Sequence, residues 1–174
     1  MNIPNLLTIL RVALTPLGAY ALFKNGGADH TWMIIAWCTF FIIGLTDFLD
    51  GKIARAKNQI TEFGKLLDPI ADKVSIGTAM ISLSILHRLP WWVTIVILAR
   101  EIGVTILRFA VLKDGVIPAS KGGKLKALMQ GFGVGWFILP LPHWLFLPRD
   151  LFMGIAIALT WTTGYEYFKA VLKK

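Results

Sequence analysis

Four aspartates stand at short, regular spacings in two stretches of the chain, Asp47 with Asp50 and Asp68 with Asp72. On helices, residues three or four apart lie on one face about one turn apart, so each pair presents two carboxylates together. Carboxylates this close repel one another unless cations hold them. Hard oxygen donors select Mg²⁺, Mn²⁺ or Ca²⁺ over zinc, and four ionised carboxylates balance two divalent ions. The pattern predicts a divalent-metal site suited to phosphoryl transfer.

Each aspartate also has a structural interpretation when it is taken alone. Asp68 precedes a proline and could cap a helix, Asp50 precedes a glycine and could end one, and Asp72 could pair with Lys73 or Lys65. Four acids at helical spacing beside apolar segments argue against four separate structural roles, because ionisable residues within membranes are usually functional.

The elements that carry these acids are predicted to be membrane helices. Of the 174 residues, 56% are hydrophobic and 16% are charged, with a mean hydropathy of +0.66, far more apolar than an ordinary soluble domain. Six apolar stretches lie near the roughly 17–25 residues that cross a bilayer, although the fifth is short. They cover residues 5–23, 32–49, 69–86, 91–112, 127–141 and 150–168. We therefore predict one all-α domain over residues 1–174, polytopic, with six transmembrane helices.

The basic residues of the connections and termini divide unequally between the two sides of the membrane, eleven against three. The larger set is Lys52, Arg55, Lys57, Lys65, Lys113, Lys121, Lys124, Lys126, Lys169, Lys173 and Lys174, and the smaller set is Lys24, Arg88 and Arg149. By the positive-inside rule both termini and the aspartates face the cytosol. The net charge of +8 fits cytosolic loops and anionic headgroups, so we expect no nucleic-acid partner. A single cysteine, Cys38, excludes an intrachain disulfide and a cysteine metal site.

The residues around the aspartates also form a known pattern. Its specified positions are Asp47, Asp50, Gly51, Ala54, Arg55, Gly64, Asp68 and Asp72. In this spacing they resemble the complete signature of the CDP-alcohol phosphatidyltransferases. The stretch Pro4–Arg11 is similar to the amino-terminal segment of that family, and residues from Arg100 to Gln130 resemble the branch that makes phosphatidylglycerophosphate.

The resemblance implies a reaction in which a phosphatidyl group passes from CDP-diacylglycerol to an alcohol and CMP leaves. It implies Mg²⁺ or Mn²⁺ as cofactor, as two ions, bound by Asp47, Asp50, Asp68 and Asp72. Asp72 is also the implied general base toward the acceptor hydroxyl. The resemblance further implies a homodimer in the bacterial inner (cytoplasmic) membrane, with membrane lipid as its surroundings.

Four small or basic residues are expected to bind CDP-diacylglycerol: Gly51, Ala54, Arg55 and Gly64. Gly51 and Ala54 leave a helix surface without bulk where a nucleotide can approach the backbone, and the planar fork of Arg55 suits phosphate. Taken alone, the first two could equally be packing residues and Arg55 an anchor at the membrane surface. Gly64 resembles the family's small residue that lets the two helices close around the site.

The acceptor, if it is glycerol 3-phosphate, is a dianion and needs basic residues of its own. The residues expected to bind its phosphate are Arg108, Lys124, Lys126, Arg100 and Lys121. The two arginines share one stripe of the fourth span. Arg100 could instead form a buried pair with Glu101, and the lysines could be ordinary loop charge. Arg11, in the first span, could serve phosphate or neutralise the aspartates.

Other functions stay open on the sequence alone. The same chemistry could use inositol phosphate, serine or phosphatidylglycerol as acceptor, and only the region from Arg100 to Gln130 argues against these. A cation or proton transporter predicts acids near the middle of the bilayer and broken helices, whereas these acids cluster at one interface. A non-catalytic scaffold protein would not need four aspartates at regular spacing.

Overall fold

The structure, a computed structural model, describes the backbone of residues 3–56, 62–110 and 121–172. It describes side chains for residues 6–46, 70–107, 123 and 125–171. Within these ranges the chain forms six α-helices and two short 3₁₀ turns, with no strand. The helices are α1 (Ile3–Phe23), α2 (His30–Ala56), α3 (Glu62–Ile85), α4 (Trp91–Ala110), α5 (Lys121–Ile138) and α6 (Phe146–Leu172). The all-α prediction is confirmed.

Several helices extend beyond the apolar stretches that predict them. The second stretch, 32–49, is too short, because α2 continues to Ala56, and the third, 69–86, starts too late, because α3 begins at Glu62. The fifth stretch, 127–141, likewise starts too late, because α5 begins at Lys121. Hydropathy marks where apolar side chains lie, whereas a helix can continue with charged side chains that face water.

The chain divides into two compact units. Unit 1 comprises Met1–Leu89 with Phe137–Pro140, and unit 2 comprises Pro90–Trp136 with Leu141–Lys174. In unit 1, α1 packs along both α2 and α3, whereas α2 and α3 contact each other much less within the part that the structure describes. In unit 2, α4 packs against α6. The single domain expected over the whole chain stays a prediction.

Apolar side chains are exposed along several helices. Among the described residues, Leu6–Gly27 and His143–Val171 are long and apolar enough to cross a membrane by length and composition, and His30–Thr46 is a shorter apolar segment. On α6, Leu147 and Leu151 lie one turn apart and are both exposed. Apolar stripes of this kind have to be covered by lipid or by other protein.

A tight turn reverses the chain between α1 and α2. The backbone from Asn25 to Gly27 has positive φ, which glycine and asparagine adopt at little cost. Asp29 then caps α2, because its Oδ1 accepts hydrogen bonds from the N–H groups of Thr31 (2.9 Å) and Trp32 (3.3 Å), and its Oδ2 accepts one from Asn25 Nδ2 (3.0 Å). The N–H of Trp32, the side chain of Asn25 and the N–H of Thr31 lower the pKa of Asp29, in that order. The cap fixes where α2 begins.

Replacing Asp29 with alanine removes these acceptors, and we expect the Tm of the detergent-solubilised protein at pH 7 to fall by a few degrees. Asp29→Asn keeps a capping oxygen and should lose less. Because folding lowers the pKa of Asp29 from its ordinary value of 3.8, its stabilisation is complete above that value and disappears as pH falls through the lower folded value. The Tm difference between wild type and Asp29→Ala should shrink accordingly, and equal Tm values at pH 7 contradict the capping role.

Candidate active site

The aspartate positions lie on continuous helix. The backbone of α2 is helical through residues 47 and 50, and that of α3 through residues 68 and 72, so each pair has the one-turn spacing predicted from sequence. The side chains of Asp47, Asp50 and Asp68 lie outside the described part of the structure, and that of Asp72 lies within it.

A close contact sets the register between α1 and α2. A Cβ atom at Gly18 would lie 2.9 Å from Cε2 of Phe40, so the two helices nearly touch here. The helices run antiparallel across the short turn that joins them. Because the helices are antiparallel, residues before Gly18 on α1 lie beside residues after Phe40 on α2. Arg11 lies seven residues before Gly18, and Asp47 lies seven residues after Phe40. Arg11 and Asp47 therefore lie at the same level to within about one helical turn.

Two contacts set the register between α1 and α3. Thr15 and Ser75 share a hydrogen bond of 2.8 Å. Because the Thr15 hydroxyl donates to the Arg11 carbonyl, Ser75 is the donor. Further along, a Cβ at Gly27 would lie 3.0 Å from Cδ1 of Leu86. Gly27 follows the end of α1 and Leu86 follows the end of α3, so the C-terminal ends of the two helices lie together and α1 and α3 run in the same direction.

These registers bring the four aspartate positions to one level of unit 1. Four residues before Thr15 lies Arg11 on α1, and four residues before Ser75 lies Ala71 on α3, next to Asp72. Counting back seven reaches Thr8 and Asp68. On α1, Thr8 lies ten residues before Gly18, and on α2, Asp50 lies ten residues after Phe40, so Thr8 and Asp50 also share a level. All four positions thus lie within about a turn or two of one another along the helix axes.

Asp72 is accessible and has a neighbouring partner. Its Oδ2 accepts a hydrogen bond from Lys73 Nζ at 3.0 Å, and the side chain of Asp72 is 47% exposed. An exposed ion pair between adjacent residues contributes little to stability. The pairing foreseen as a structural alternative is present, and the carboxylate can still reach a ligand or a proton.

The donor set fits a divalent cation. The four residue positions on α2 and α3 carry aspartates, whose carboxylate oxygens are hard donors, and the side chain of Asp72 is accessible. Among the residues whose side chains are described, no group of three or more His, Cys, Asp or Glu could hold a metal. Three of the four aspartates lie outside that set, as do the side chains of the four residues expected to bind CDP-diacylglycerol, Gly51, Ala54, Arg55 and Gly64.

In unit 2, one buried carboxylate joins three helices. Glu101 on α4 is 3% exposed, and its Oε1 accepts hydrogen bonds from Arg100 Nη1 (3.0 Å) and from Lys126 Nζ of α5 (2.5 Å). Arg100 Nη2 donates to Thr163 Oγ1 of α6 at 2.9 Å. Removing one partner from such a buried ionic group costs about 3–5 kcal/mol because it leaves the other charges uncompensated, so unit 2 depends on the network being intact.

The network bears on the residues expected to bind the acceptor. The pairing of Arg100 with Glu101, foreseen as an alternative, is present, and Lys126 is buried in the same network. The side chains of Arg108, Lys121 and Lys124 lie outside the described part of the structure. An acceptor role stays a prediction for all five basic residues.

Sequence reasoning missed how α6 contributes to this network. A Cβ at Gly164 would lie 2.8 Å from Nε of Arg100, so glycine lets the guanidinium lie against α6 and any larger residue would have to displace it. Thr163 accepts its hydrogen bond one position earlier. Small and hydroxyl residues commonly allow such close approach between membrane helices, and this signal could have identified α6 as the neighbour.

Known proteins resemble the chain over almost its whole length. The sequence profile of the CDP-alcohol phosphatidyltransferase family matches residues 1–163. A Mycobacterium tuberculosis protein named "Probable phosphatidylglycerophosphate synthase" is 48% identical over 172 residues, which span 99% of this chain and 82% of that protein. The CDP-diacylglycerol–glycerol-3-phosphate 3-phosphatidyltransferase of Bacillus subtilis is 36% identical over 180 residues, 96% of this chain and 93% of that protein.

A solved structure shares the fold. The apo crystal structure of phosphatidylinositol phosphate synthase from Mycobacterium tuberculosis has a TM-score of 0.68, covering 98% of this chain and 90% of that chain. Its sequence is 21% identical, so this likeness concerns the fold alone.

We expect Gly164→Ala to destabilise unit 2, because the new methyl group displaces Arg100, which hydrogen bonds to Glu101 and Thr163 hold in place. Overpacking of this kind costs about 1–3 kcal/mol, and the Tm in detergent should fall. Gly154→Ala is the matched control, because Gly154 lies on the same helix and a Cβ there would have no neighbouring atom within 4 Å. Equal Tm values for the two variants would refute the packing role of Gly164.

Proposed function

The chain belongs to the CDP-alcohol phosphatidyltransferase family, and we propose that it transfers the phosphatidyl group of CDP-diacylglycerol to sn-glycerol 3-phosphate. The products are phosphatidylglycerophosphate and CMP, in phospholipid biosynthesis. The observation that carries this proposal is the 48% and 36% identity, over nearly the whole chain, to relatives named for that activity. The phosphatidylinositol phosphate synthase matches in fold alone, so glycerol 3-phosphate stays favoured over inositol phosphate.

We propose that all six helices cross a bacterial cytoplasmic membrane, with both termini and the aspartates on the cytosolic side, in a homodimer. The excess of basic residues in the connections on one side supports this orientation. Helices α2 and α6 have 27 residues each, more than a span of about 20 requires, so their charged ends can extend into the cytosol. There the diphosphate of the lipid substrate meets water while its acyl chains stay in hydrocarbon.

Members of this family generally use a divalent metal. In this chain we propose that Asp47, Asp50, Asp68 and Asp72 hold Mg²⁺ or Mn²⁺, as two ions. Such ions, when bound, neutralise the diphosphate and stabilise the charge that develops on the departing CMP. The level positions of the four aspartates on α2 and α3 support this assignment.

The protein's own residues then bind and orient the substrate. The small residues Gly51 and Ala54, one turn apart on α2, let the nucleotide approach the backbone, and Arg55 donates to phosphate. Gly64, one turn before Asp68 on α3, keeps bulk away from the same site. Phosphoryl transfer depends mainly on such positioning.

Asp72 is the proposed general base. Its carboxylate takes the proton of the acceptor hydroxyl while the acceptor oxygen bonds to the β-phosphorus and the bond from that phosphorus to the CMP oxygen breaks. The exposure of its side chain supports this role, because the base has to be within reach of the acceptor.

For the acceptor phosphate we propose Arg108 first, with Lys124 and Lys121 next. Arg100 and Lys126 are held by Glu101, so we assign them a weaker role through the positive charge of unit 2. A dianion is attracted by such charge even without direct contact.

The acceptor is tested by incubating purified protein with CDP-diacylglycerol and Mg²⁺ or Mn²⁺ and measuring CMP release with each candidate alcohol. We expect release with glycerol 3-phosphate. Release only with inositol phosphate, serine or phosphatidylglycerol overturns the acceptor, and no release with any of them overturns the enzymatic function. Cation uptake into vesicles instead would favour the transporter alternative.

Asp72→Asn should lower kcat by roughly a hundred- to ten-thousand-fold, because the amide cannot accept the proton, while CDP-diacylglycerol binding is partly retained. Asp150→Asn is the matched control: Asp150 is exposed, pairs with Arg149 and has no proposed role. Full activity of Asp72→Asn in CMP release would rule out the assigned base.

A further inference from the structure

Arg11 carries the largest of the fully buried side chains in the described part of the structure, with 1% exposed. A guanidinium stays charged at any ordinary pH. Taking it out of water costs several kcal/mol unless anions or hydrogen bonds compensate. The burial of Arg11 therefore requires anionic or hydrogen-bonding groups around the guanidinium.

The helix registers identify that neighbourhood. Arg11 is level with Asp47 on α2 and one residue from the level of Asp72 on α3, as derived from the contacts of Gly18 and Thr15. Side chains on a helix point toward its N-terminus. The guanidinium of Arg11 therefore extends toward the level of Thr8. The residue of α3 at that level is Asp68.

The same face of α1 is polar throughout this region. Thr8, Arg11 and Thr15 follow at intervals of three and four residues and are all buried, so they form one stripe on the side of α1 that meets its neighbours. The Thr15 hydroxyl donates to the Arg11 carbonyl and accepts from Ser75. These hydrogen bonds hold α1 against α3 one turn away from Arg11.

We propose that Arg11 is a positioning residue for the aspartates: a fixed cation that orients their carboxylates and reduces the net charge of the cluster. Its burial excludes direct contact with a substrate that arrives from solvent or lipid, so it acts through the carboxylates. This inference rests on the proposed metal role of the aspartates.

The test compares Mn²⁺ binding, measured without substrate from the free Mn²⁺ signal in electron paramagnetic resonance, across variants of the full chain. In Arg11→Gln the cation that repels Mn²⁺ is lost, and we expect binding about three- to tenfold tighter. At saturating Mn²⁺, kcat should nevertheless fall at least tenfold because the carboxylates lose their orientation. A residue that merely supports packing does not tighten metal binding.

Two matched variants separate charge from shape. Arg11→Lys keeps the charge and should bind Mn²⁺ within about twofold of wild type. Arg149→Gln removes an arginine that pairs with Asp150 on α6 and should leave Mn²⁺ binding unchanged. Unchanged or weaker binding in folded Arg11→Gln overturns the proposal.

If Arg11→Gln does not fold, its combination with Asp68→Asn decides the question. Neutralising Asp68 should restore folded protein, because the cluster then carries one charge fewer. Absence of rescue overturns the proposal. Wild type that binds Mn²⁺ but releases no CMP with any acceptor refutes the proposed function and leaves this inference standing. Active wild type with Mn²⁺ binding insensitive to Arg11 refutes this inference alone.

Discussion

Mutual repulsion among carboxylates is the constraint on which the proposed site depends. Two pairs of aspartates come to one level because α2 and α3 both pack along α1. Like charges brought together destabilise one another in an environment of low dielectric constant. The proposed cluster therefore requires positive charge, which divalent ions and the buried Arg11 can both provide. In the proposed site, relief of this repulsion adds to the affinity for divalent metal, and the metal would supply the charge stabilisation that phosphoryl transfer needs.

The first helix organises unit 1. Its packing against α2 requires glycine at position 18, because Phe40 occupies the space of a side chain there. Its packing against α3 uses the hydrogen bond between Thr15 and Ser75, of the kind that associates helices where hydrophobic burial offers no driving force. These contacts lie away from the aspartates, yet they set the register that makes the aspartates level. A shift of one residue rotates a side chain by about 100° around the helix, so the site is sensitive to this packing.

The sequence predicted the helical class and the spacing of the aspartates, because both depend on local pattern. It predicted the helix ends poorly where polar residues continue a helix, as at Ala56 on α2 and Lys121 on α5. The registers could not be predicted, since they depend on contacts between residues as distant as Thr15 and Ser75. The partners of Glu101 could not be identified one by one, because Lys126 and Thr163 are remote in the chain, although the small and hydroxyl residues of α6 mark that helix as a close neighbour. Only the pairing with its neighbour Arg100 was foreseen.

The proposed mechanism depends on the four aspartates of α2 and α3 forming one divalent-metal site. Equilibrium Mn²⁺ binding to the purified protein, without substrate, tests for that site when wild type is compared with the double variant Asp47→Asn/Asp68→Asn. Each substitution takes one carboxylate from a different helix, so a shared site must weaken. We expect about two bound Mn²⁺ ions per wild-type chain and a loss of at least one in the double variant. Equal binding by the two proteins, or no binding by wild type, would contradict it.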